Sequence, residues 1–212
     1  MWFIDFFKSS IGKKIIMAAT GCLLILFLCS HAAGNATLFL SVALFQAYAD
    51  QLHAHPLIVS IFSTGLFLVF AVHAITGSLL FLQNRKARGQ GYKIQTRAVK
   101  NSLASRTMIY SGLFILLFVL THTAVVSFGD HGKIGTTISE LFSSFFVSMF
   151  YIIAFCVLAL HLSHGFWSML QTFGVNHPRY TELISRLTYI VPVFFLLIFS
   201  AIPLLFLFET GQ

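Results

Sequence analysis

Five histidines lie inside long apolar stretches of the sequence, where an imidazole is costly unless something binds it. Two of them stand three residues apart in the segment ALHLSHGFWSMLQTFG, at His161 and His164. Imidazoles in such surroundings bind metals, relay protons or form a hydrogen bond with a neighbouring helix. The full set is His31, His73, His122, His161 and His164.

The elements that carry these histidines are membrane helices. Of the 212 residues, 58% are hydrophobic and 9% are charged, whereas soluble domains carry about 25% charged residues. Five apolar stretches are long enough to cross a bilayer, which takes about 20 residues each. They predict one all-α, polytopic membrane domain over residues 1–212. The expected spans are roughly 12–39, 57–83, 107–128, 144–173 and 188–208.

The Lys and Arg residues predict how these spans are oriented. Twelve of the thirteen lie in the N-terminal segment and in the second and fourth connections, which share one side of a five-span chain. Only Lys133 lies on the other side. The positive-inside rule therefore predicts a cytoplasmic N-terminus and an external C-terminus. Basic residues in short loops between apolar runs indicate topology and not a nucleic-acid-binding face.

Depth in the membrane sorts four of the histidines into two layers. Spans one and three run outward and carry His31 and His122 in the outer half, while His73 and His161 fall in the inner half of spans two and four. At about 1.5 Å rise per residue, the layers are on the order of 15 Å apart. Each layer holds one histidine from each of two helices. This arrangement predicts a helix bundle that binds two haems through axial imidazoles.

The expected ligand pairs are His73 with His161 for the inner haem and His31 with His122 for the outer haem. The three cysteines lie in apolar runs and no C-x-x-C-H motif is present, so both haems are expected to be b-type. His164 lies one turn beyond His161, and it competes for the ligand role or contacts a haem propionate or a quinone.

Small residues near the ligands have two interpretations. Gly34, Gly77 and Gly165 would let a flat macrocycle approach the backbone, or they would serve close packing between helices. Both interpretations remain open from the sequence.

The segments around the histidines resemble a known family. They read SHAAGNATLF, HAITGSLLF, LTHTAVV and LHLSHGFWSMLQTFGVN. Together they resemble the di-haem cytochrome b subunit, a single five-helix membrane anchor, of succinate:quinone oxidoreductases, the succinate dehydrogenases and fumarate reductases. The most specific element is the H-x-S-x-G-x-W-S pattern at His161–Ser168. By this resemblance the fourth ligand is His161, not His164, and the family's ligand pairing agrees with the depth argument.

The resemblance also implies partners on the cytoplasmic side of a bacterial inner membrane. These are an iron–sulfur subunit and a flavoprotein subunit that carries FAD. The basic loop Arg85–Arg106 would dock the iron–sulfur subunit or would only set topology. The chain itself would perform no dicarboxylate chemistry. It would pass electrons through two haems between those subunits and a quinone, with menaquinone favoured by the resemblance.

One position departs from part of the family. Some menaquinol-oxidising members carry a glutamate two residues before the fourth haem ligand, where it serves to move protons across the membrane. This chain has Ala159 there, and no other acidic residue lies within a predicted span. That proton route is therefore not expected here.

The quinone site has candidates at both membrane interfaces, because a quinone needs a polar donor near its carbonyls. On the outer side they are Asp50, Gln51 and His53, with Asn35 nearby, and on the inner side they are His164 and Gln83.

Three other functions would use the same histidines. The b subunits of membrane-bound hydrogenases and formate dehydrogenases also hold two haems, but the fourth-span pattern fits them less well. A transporter with a histidine proton relay would usually show charged partners in its spans or internal repeats, and neither is recognised in the sequence. An intramembrane metalloprotease would need H-E-x-x-H, and no glutamate follows His161 or His164.

Overall fold

The computed structural model describes residues 5–7, 9–87, 103–128, 131–175 and 177–209, and in these ranges the chain is helical without β-strands. Five of the helices described are long and apolar enough to cross a membrane, as the sequence predicts. The α-helices are α1 (Ser10–Asn35), α2 (Val42–His53), α3 (Pro56–Ala87), α4 (Leu103–Phe128), α5 (Ile134–Ser143), α6 (Phe145–Thr172) and α7 (Thr181–Glu209), of which α2 and α5 are the short ones.

The last helix begins earlier than the hydropathy indicates. It starts at Thr181, because an exposed Glu182–Arg186 ion pair one turn apart continues the helix beyond its apolar part. It also runs without interruption through Pro192 and Pro203, both of which are buried. The five-helix architecture is as predicted.

The two ends of the bundle differ in chemistry. At the end that we call the basic end, Lys14 lies near the start of α1 and Arg106 near the start of α4. Arg85 and Lys86 lie in the last turn of α3. Those side chains are exposed, whereas residues 88–102 of the predicted docking loop lie outside the described residues, as does Lys8.

At the opposite end, which we call the capped end, α2 and α5 lie across the bundle. The Gly135 backbone N–H donates to Gln46 Oε1 at 2.9 Å and joins the two short helices. A buried cluster beneath them includes Phe45 of α2, Phe142 of α5 and Tyr151 of α6. Neither α2 nor the cap that it forms was predicted from the sequence, and both are additions from the structure.

Packing leaves a space in the middle of the bundle. Helices α6 and α7 pack along their lengths around Leu162, Phe195 and Phe199. By contrast, Thr76 is the one fully buried residue of α3. Helix α3 therefore stands against α1 and leaves a cavity between α1, α3, α4 and α6.

Candidate functional site

The four histidines assigned to layers meet as two pairs inside the bundle. In the pair nearer the basic end, the rings of His73 on α3 and His161 on α6 have centroids 6.4 Å apart and planes inclined by 63°. In the pair nearer the capped end, the rings of His31 on α1 and His122 on α4 are 6.0 Å apart and inclined by 88°. We call them the basic-side pair and the capped-side pair. The structure thus brings together the partners that the depth argument selected.

The separation within each pair is that of two imidazoles on one metal. A metal–imidazole nitrogen bond is about 2 Å long, and a ring nitrogen lies about 1.1 Å from its ring centroid. Two rings that bind one iron from opposite sides therefore have centroids about 6 Å apart. Both pairs in this chain have that spacing.

Each pair offers two ligands and no more. In the described part of the chain, no three His, Cys, Asp or Glu side chains come together as a metal-binding group. A bare zinc ion takes at least three protein ligands, so this arrangement does not fit it. Two imidazoles at this spacing would suit an iron whose other four ligands come from a macrocycle.

A cavity of about 2000 Å³ contains both pairs. It exceeds the roughly 300–1,000 Å³ of a site for one small molecule. Its wall is mainly apolar and comes largely from α1, α3, α4 and α6, with His31, His73, His122 and His161 among the lining residues. The space has the size and the character required by two large flat cofactors.

The basic-side pair is held by hydroxyl groups from neighbouring helices. Thr20 Oγ1 on α1 lies 3.1 Å from His73 Nδ1. Ser111 Oγ on α4 lies 3.1 Å from His161 Nδ1. Both hydroxyl-bearing residues are buried. Neither was singled out from the sequence, where a lone Thr or Ser in an apolar run gives no sign of its partner on another helix.

These hydroxyls determine the tautomer of the rings. Thr20 donates its single hydroxyl hydrogen to the Ile16 carbonyl at 2.7 Å, and Ser111 donates its own to the Met108 carbonyl at 3.0 Å. With the hydroxyl hydrogens assigned to these carbonyls, each oxygen accepts from the histidine, and this assignment places the ring proton on Nδ1. The lone pair is left on Nε2, which is the nitrogen that a metal takes.

The capped-side pair is held mainly by aromatic packing. His31 stacks on Phe27, one turn earlier on the same helix, with centroids 5.3 Å apart. His122 stacks on Phe118 in the same way at 5.7 Å. Tyr151 Oη lies 3.4 Å from His122 Nδ1, which is a long hydrogen bond.

The distance between the layers follows from the helices that span both. Thr20 contacts His73, and His31 lies eleven residues farther along α1. Ser111 contacts His161, and His122 lies eleven residues farther along α4. At about 1.5 Å per residue, the layers are separated by about 16 Å.

The glycines predicted near the ligands have different surroundings. A Cβ on Gly34 would lie 2.8 Å from the Tyr48 ring, so this glycine serves packing of α1 against α2 and not a cofactor. A Cβ on Gly77 would meet Met17 at 3.1 Å, although Gly77 also lines the cavity. Gly165 lines the cavity and has nothing within 4 Å of its Cβ position.

Two other glycines contact the ligands directly. A Cβ on Gly21 would lie 3.4 Å from His73 Cε1, and one on Gly112 would lie 3.5 Å from His161 Cε1. Their positions beside Thr20 and Ser111 bring the helix backbones close to the rings. They were not among the predicted glycines.

The outer quinone candidates divide into exposed and cavity-lining residues. Asp50, Gln51 and His53 are exposed on α2, where Asp50 accepts from Gln46 Nε2 at 2.7 Å and His53 Nδ1 lies 2.8 Å from the Ala49 carbonyl. Asn35 lines the cavity and donates to the His31 carbonyl at 2.8 Å. Of these four, Asn35 alone lies at the cavity.

At the basic end, His164 lines the cavity whereas Gln83 is exposed outside it. The sequence did not single out Gln171, two turns beyond His164 on α6. It lines the cavity, and its Nε2 is buried without a hydrogen-bond partner among the described residues. Lys14, Arg85 and Arg106 also line the cavity, and no acidic residue is among the described residues that line it. Hydrogen-bond donors therefore predominate at this end.

In comparisons of sequence and of fold, no family profile, no curated protein and no solved structure matches this chain.

Proposed function

We propose that this chain is a di-haem cytochrome b membrane anchor of a succinate dehydrogenase or fumarate reductase complex, which passes electrons between a membrane quinone and its soluble subunits. The observation that carries the proposal is the two histidine pairs, with ring centroids 6.0 and 6.4 Å apart within the pairs, in one large apolar cavity.

The residues present fit two b haems. His73 and His161 would hold one iron, and His31 and His122 the other. When bound, a haem with two imidazole ligands supplies reversible one-electron transfer and no open position for oxygen. Lys14, Arg85 and Arg106 give the basic-side haem cationic partners for its propionates. The mainly apolar wall would reduce the contact of the remainder of both macrocycles with water.

The basic end faces the soluble partners in this proposal. An iron–sulfur subunit and an FAD-carrying flavoprotein subunit bind on the cytoplasmic side of a bacterial inner membrane, with the N-terminus of this chain on the same side. The exposed Arg85, Lys86 and Arg106 support this orientation through the positive-inside rule, and they provide charge for docking an acidic surface.

The quinone headgroup is best served at the basic end of the cavity, with menaquinone favoured by the family resemblance. Quinone carbonyls accept hydrogen bonds, and Gln171 Nε2 is a buried donor that lacks an acceptor. His164 lies nearby on the same helix and also lines the cavity. At the capped end, Asn35 is the cavity-lining candidate, but its amide already donates to the His31 carbonyl.

Another di-haem anchor is the second candidate. The cytochrome b subunit of a membrane-bound hydrogenase or formate dehydrogenase would use the same two imidazole pairs. Its haems would be reduced by hydrogen or formate in native membranes, whereas those of the proposed complex would be reduced by succinate. The fourth-span pattern at His161–Ser168 favours the succinate:quinone family.

The test is haem quantitation in two neighbouring histidine variants. The purified wild-type complex is expected to contain two b haems per chain by pyridine haemochrome assay. His161→Ala is expected to retain one haem, whereas the matched control His164→Ala retains both. Well-folded wild-type protein without haem would exclude the cytochrome assignment. Loss of haem in His164→Ala, but not in His161→Ala, would reassign the ligand.

Reduction by succinate tests the identity of the complex. Addition of succinate to anaerobic native membranes is expected to reduce the haems of the wild-type chain, and this chain should co-purify with flavoprotein and iron–sulfur subunits. Reduction by formate or hydrogen, but not by succinate, would assign the chain to the second candidate.

A further inference from the structure

The first and third membrane helices carry the same pattern around their functional residues. Residues 17–31 of α1 read MAATGCLLILFLCSH, and residues 108–122 of α4 read MIYSGLFILLFVLTH. Five of these fifteen positions are identical, and a hydroxyl residue occupies the fourth position in both. In each helix the motif is Thr or Ser, then Gly, then His ten residues after the glycine.

The second and fourth membrane helices are related in the same way. Residues 73–83 of α3 read HAITGSLLFLQ, and residues 161–171 of α6 read HLSHGFWSMLQ. Four of these eleven positions are identical, among them the basic-side histidine and the glycine four residues after it. The chain therefore contains two copies of a two-helix unit, α1 with α3 and α4 with α6.

The contacts repeat together with the sequence. In each unit, the hydroxyl of the first helix meets Nδ1 of the basic-side histidine of the second helix, at 3.1 Å in both cases. The following glycine places its backbone against Cε1 of the same ring, with nearly equal spacings for a Cβ of 3.4 and 3.5 Å. Two independent segments with the same geometry are hard to explain as incidental packing.

The geometry points to Thr20 and Ser111 as positioning residues for the basic-side haem. Each accepts a hydrogen bond from Nδ1–H of a basic-side histidine and holds the ring in the tautomer that presents Nε2, and it would increase electron donation by that ligand to iron. The inference rests on the proposed function. It adds two residues, one on each of two helices, that act on one haem through its ligands.

The capped-side haem provides an internal reference. No hydrogen bond to a ring nitrogen of His31 is found among the described residues, and the bond to His122 is the longer one from Tyr151. Removing the Thr20 or Ser111 hydroxyl should therefore affect the basic-side haem and leave the capped-side haem unchanged.

The experiment measures both haems in Thr20→Val and Ser111→Ala. A ligand proton without an acceptor weakens electron donation to ferric iron, so the midpoint potential of the basic-side haem is expected to rise in each variant. Retention of that haem is expected to weaken by about 10–100-fold, the usual effect of removing such a partner. The electron paramagnetic resonance signal of its low-spin ferric form should shift, while the other signal remains.

Three variants serve as controls. Thr20→Ser and Ser111→Thr keep the hydroxyl and are expected to restore the wild-type potential. Thr188→Val removes an equally buried threonine hydroxyl on α7, which donates to the Ile184 carbonyl at 2.8 Å and has no hydrogen bond to a histidine among the described residues. It is expected to leave both potentials unchanged.

The results separate this inference from the proposed function. A wild-type chain without haem contradicts the proposed function. Two haems in the wild type, with unchanged potentials in Thr20→Val and Ser111→Ala, contradict only the positioning role. Equal shifts in the midpoint potentials of both haems would also contradict the positioning role, because they would indicate a general disturbance of the bundle. If Thr20→Val does not fold, Ser111→Ala on the other unit decides the question.

Discussion

The two histidine pairs have nearly the same separation but are held by different forces. The basic-side rings donate hydrogen bonds from Nδ1 to hydroxyls on adjacent helices, at 3.1 Å each. The capped-side rings stack on phenylalanines one turn away on their own helices. The orientation of the first pair therefore depends on the register between helices, whereas that of the second depends mainly on local aromatic packing.

The surroundings of the pairs differ as well. Three cations line the cavity at the basic end, and an apolar cap of α2 and α5 covers the other end. A nearby cation disfavours the ferric state of a haem, so these cations are expected to raise the midpoint potential of a basic-side haem. One helix bundle can in this way hold two chemically identical cofactors that differ in their electron affinity.

Removal of a ligand should produce the largest effect and separate the two sites. His73→Ala is expected to eliminate the basic-side haem, and His122→Ala the capped-side haem, because one remaining imidazole cannot supply both axial positions. Difference spectra of the two variants should add up to the wild-type spectrum. Exposed His177, replaced by alanine, is the control and should keep both haems. Identical spectra for the two ligand variants would contradict separate sites.

Damage to the cap should affect the capped side alone. A Cβ on Gly135 would lie 2.9 Å from Val42 Cγ1 and 3.2 Å from the Val42 carbonyl, so Gly135→Ala must push α5 away from α2. Overpacking of this kind costs about 1–3 kcal/mol. Thermal unfolding in detergent should show this loss of stability as a lower unfolding temperature. The capped-side haem should also dissociate faster than in the wild type.

Gly165→Ala is the matched control for that variant, since nothing lies within 4 Å of the added methyl group in the described chain. It should not lower the thermal stability of the haem-free protein. Weaker haem retention in Gly165→Ala would show that a macrocycle packs on this glycine. Equal dissociation of both haems in Gly135→Ala would argue against a cap specific to one side.

The Tyr151 hydroxyl should contribute less than the hydroxyls on the basic side. Its 3.4 Å contact with His122 is long, and the ring itself is packed against Phe118 and Phe142. Tyr151→Phe keeps this packing and should cost no more than about 0.5 kcal/mol of haem binding, the low end for a hydrogen bond. Haem-transfer kinetics can compare it with Thr20→Val, and a larger effect in Tyr151→Phe would reverse the order proposed here.

The smallest effect is expected from a single exposed cation. Arg85→Gln should lower the midpoint potential of the basic-side haem, because it removes a positive charge that opposes oxidation. Solvent and salt screen such a charge, so a contribution of about 0.2–1 kcal/mol is expected. Redox titration should show a smaller shift at high salt. A shift in the midpoint potential of the capped-side haem instead would contradict this prediction.

The internal repeat changes one ground for rejecting a transporter. In the sequence analysis, the lack of a recognised internal repeat argued against a transporter. The two-helix repeat removes that argument. The other ground stands for the described part of the chain, where the cavity lining contains no acidic residue and its cations lie at the basic end. In both basic-side rings, Nδ1 faces a hydroxyl that donates its own hydrogen to a backbone carbonyl. A proton relay does not explain this arrangement.

The repeat was difficult to recognise from the sequence for a physical reason. Membrane helices are built from few apolar residue types, so the positions between Thr20 and His31 carry little information. What identifies the two units is the contact of Thr20 with His73 and of Ser111 with His161. These contacts join residues 53 and 50 positions apart, and no local pattern predicts them.

The sequence by itself determined the five membrane helices and the pairing of the histidines. Both depend on one-dimensional quantities: the length of apolar runs, the sidedness of basic residues and the rise per residue of a helix. Rotation about each helix axis is not among these quantities. Only the tertiary structure decided that Gly34 packs on Tyr48, that Gly21 and Gly112 meet the ligand rings, and that Gln171 faces the cavity. Neighbouring helices set that rotation through side-chain packing.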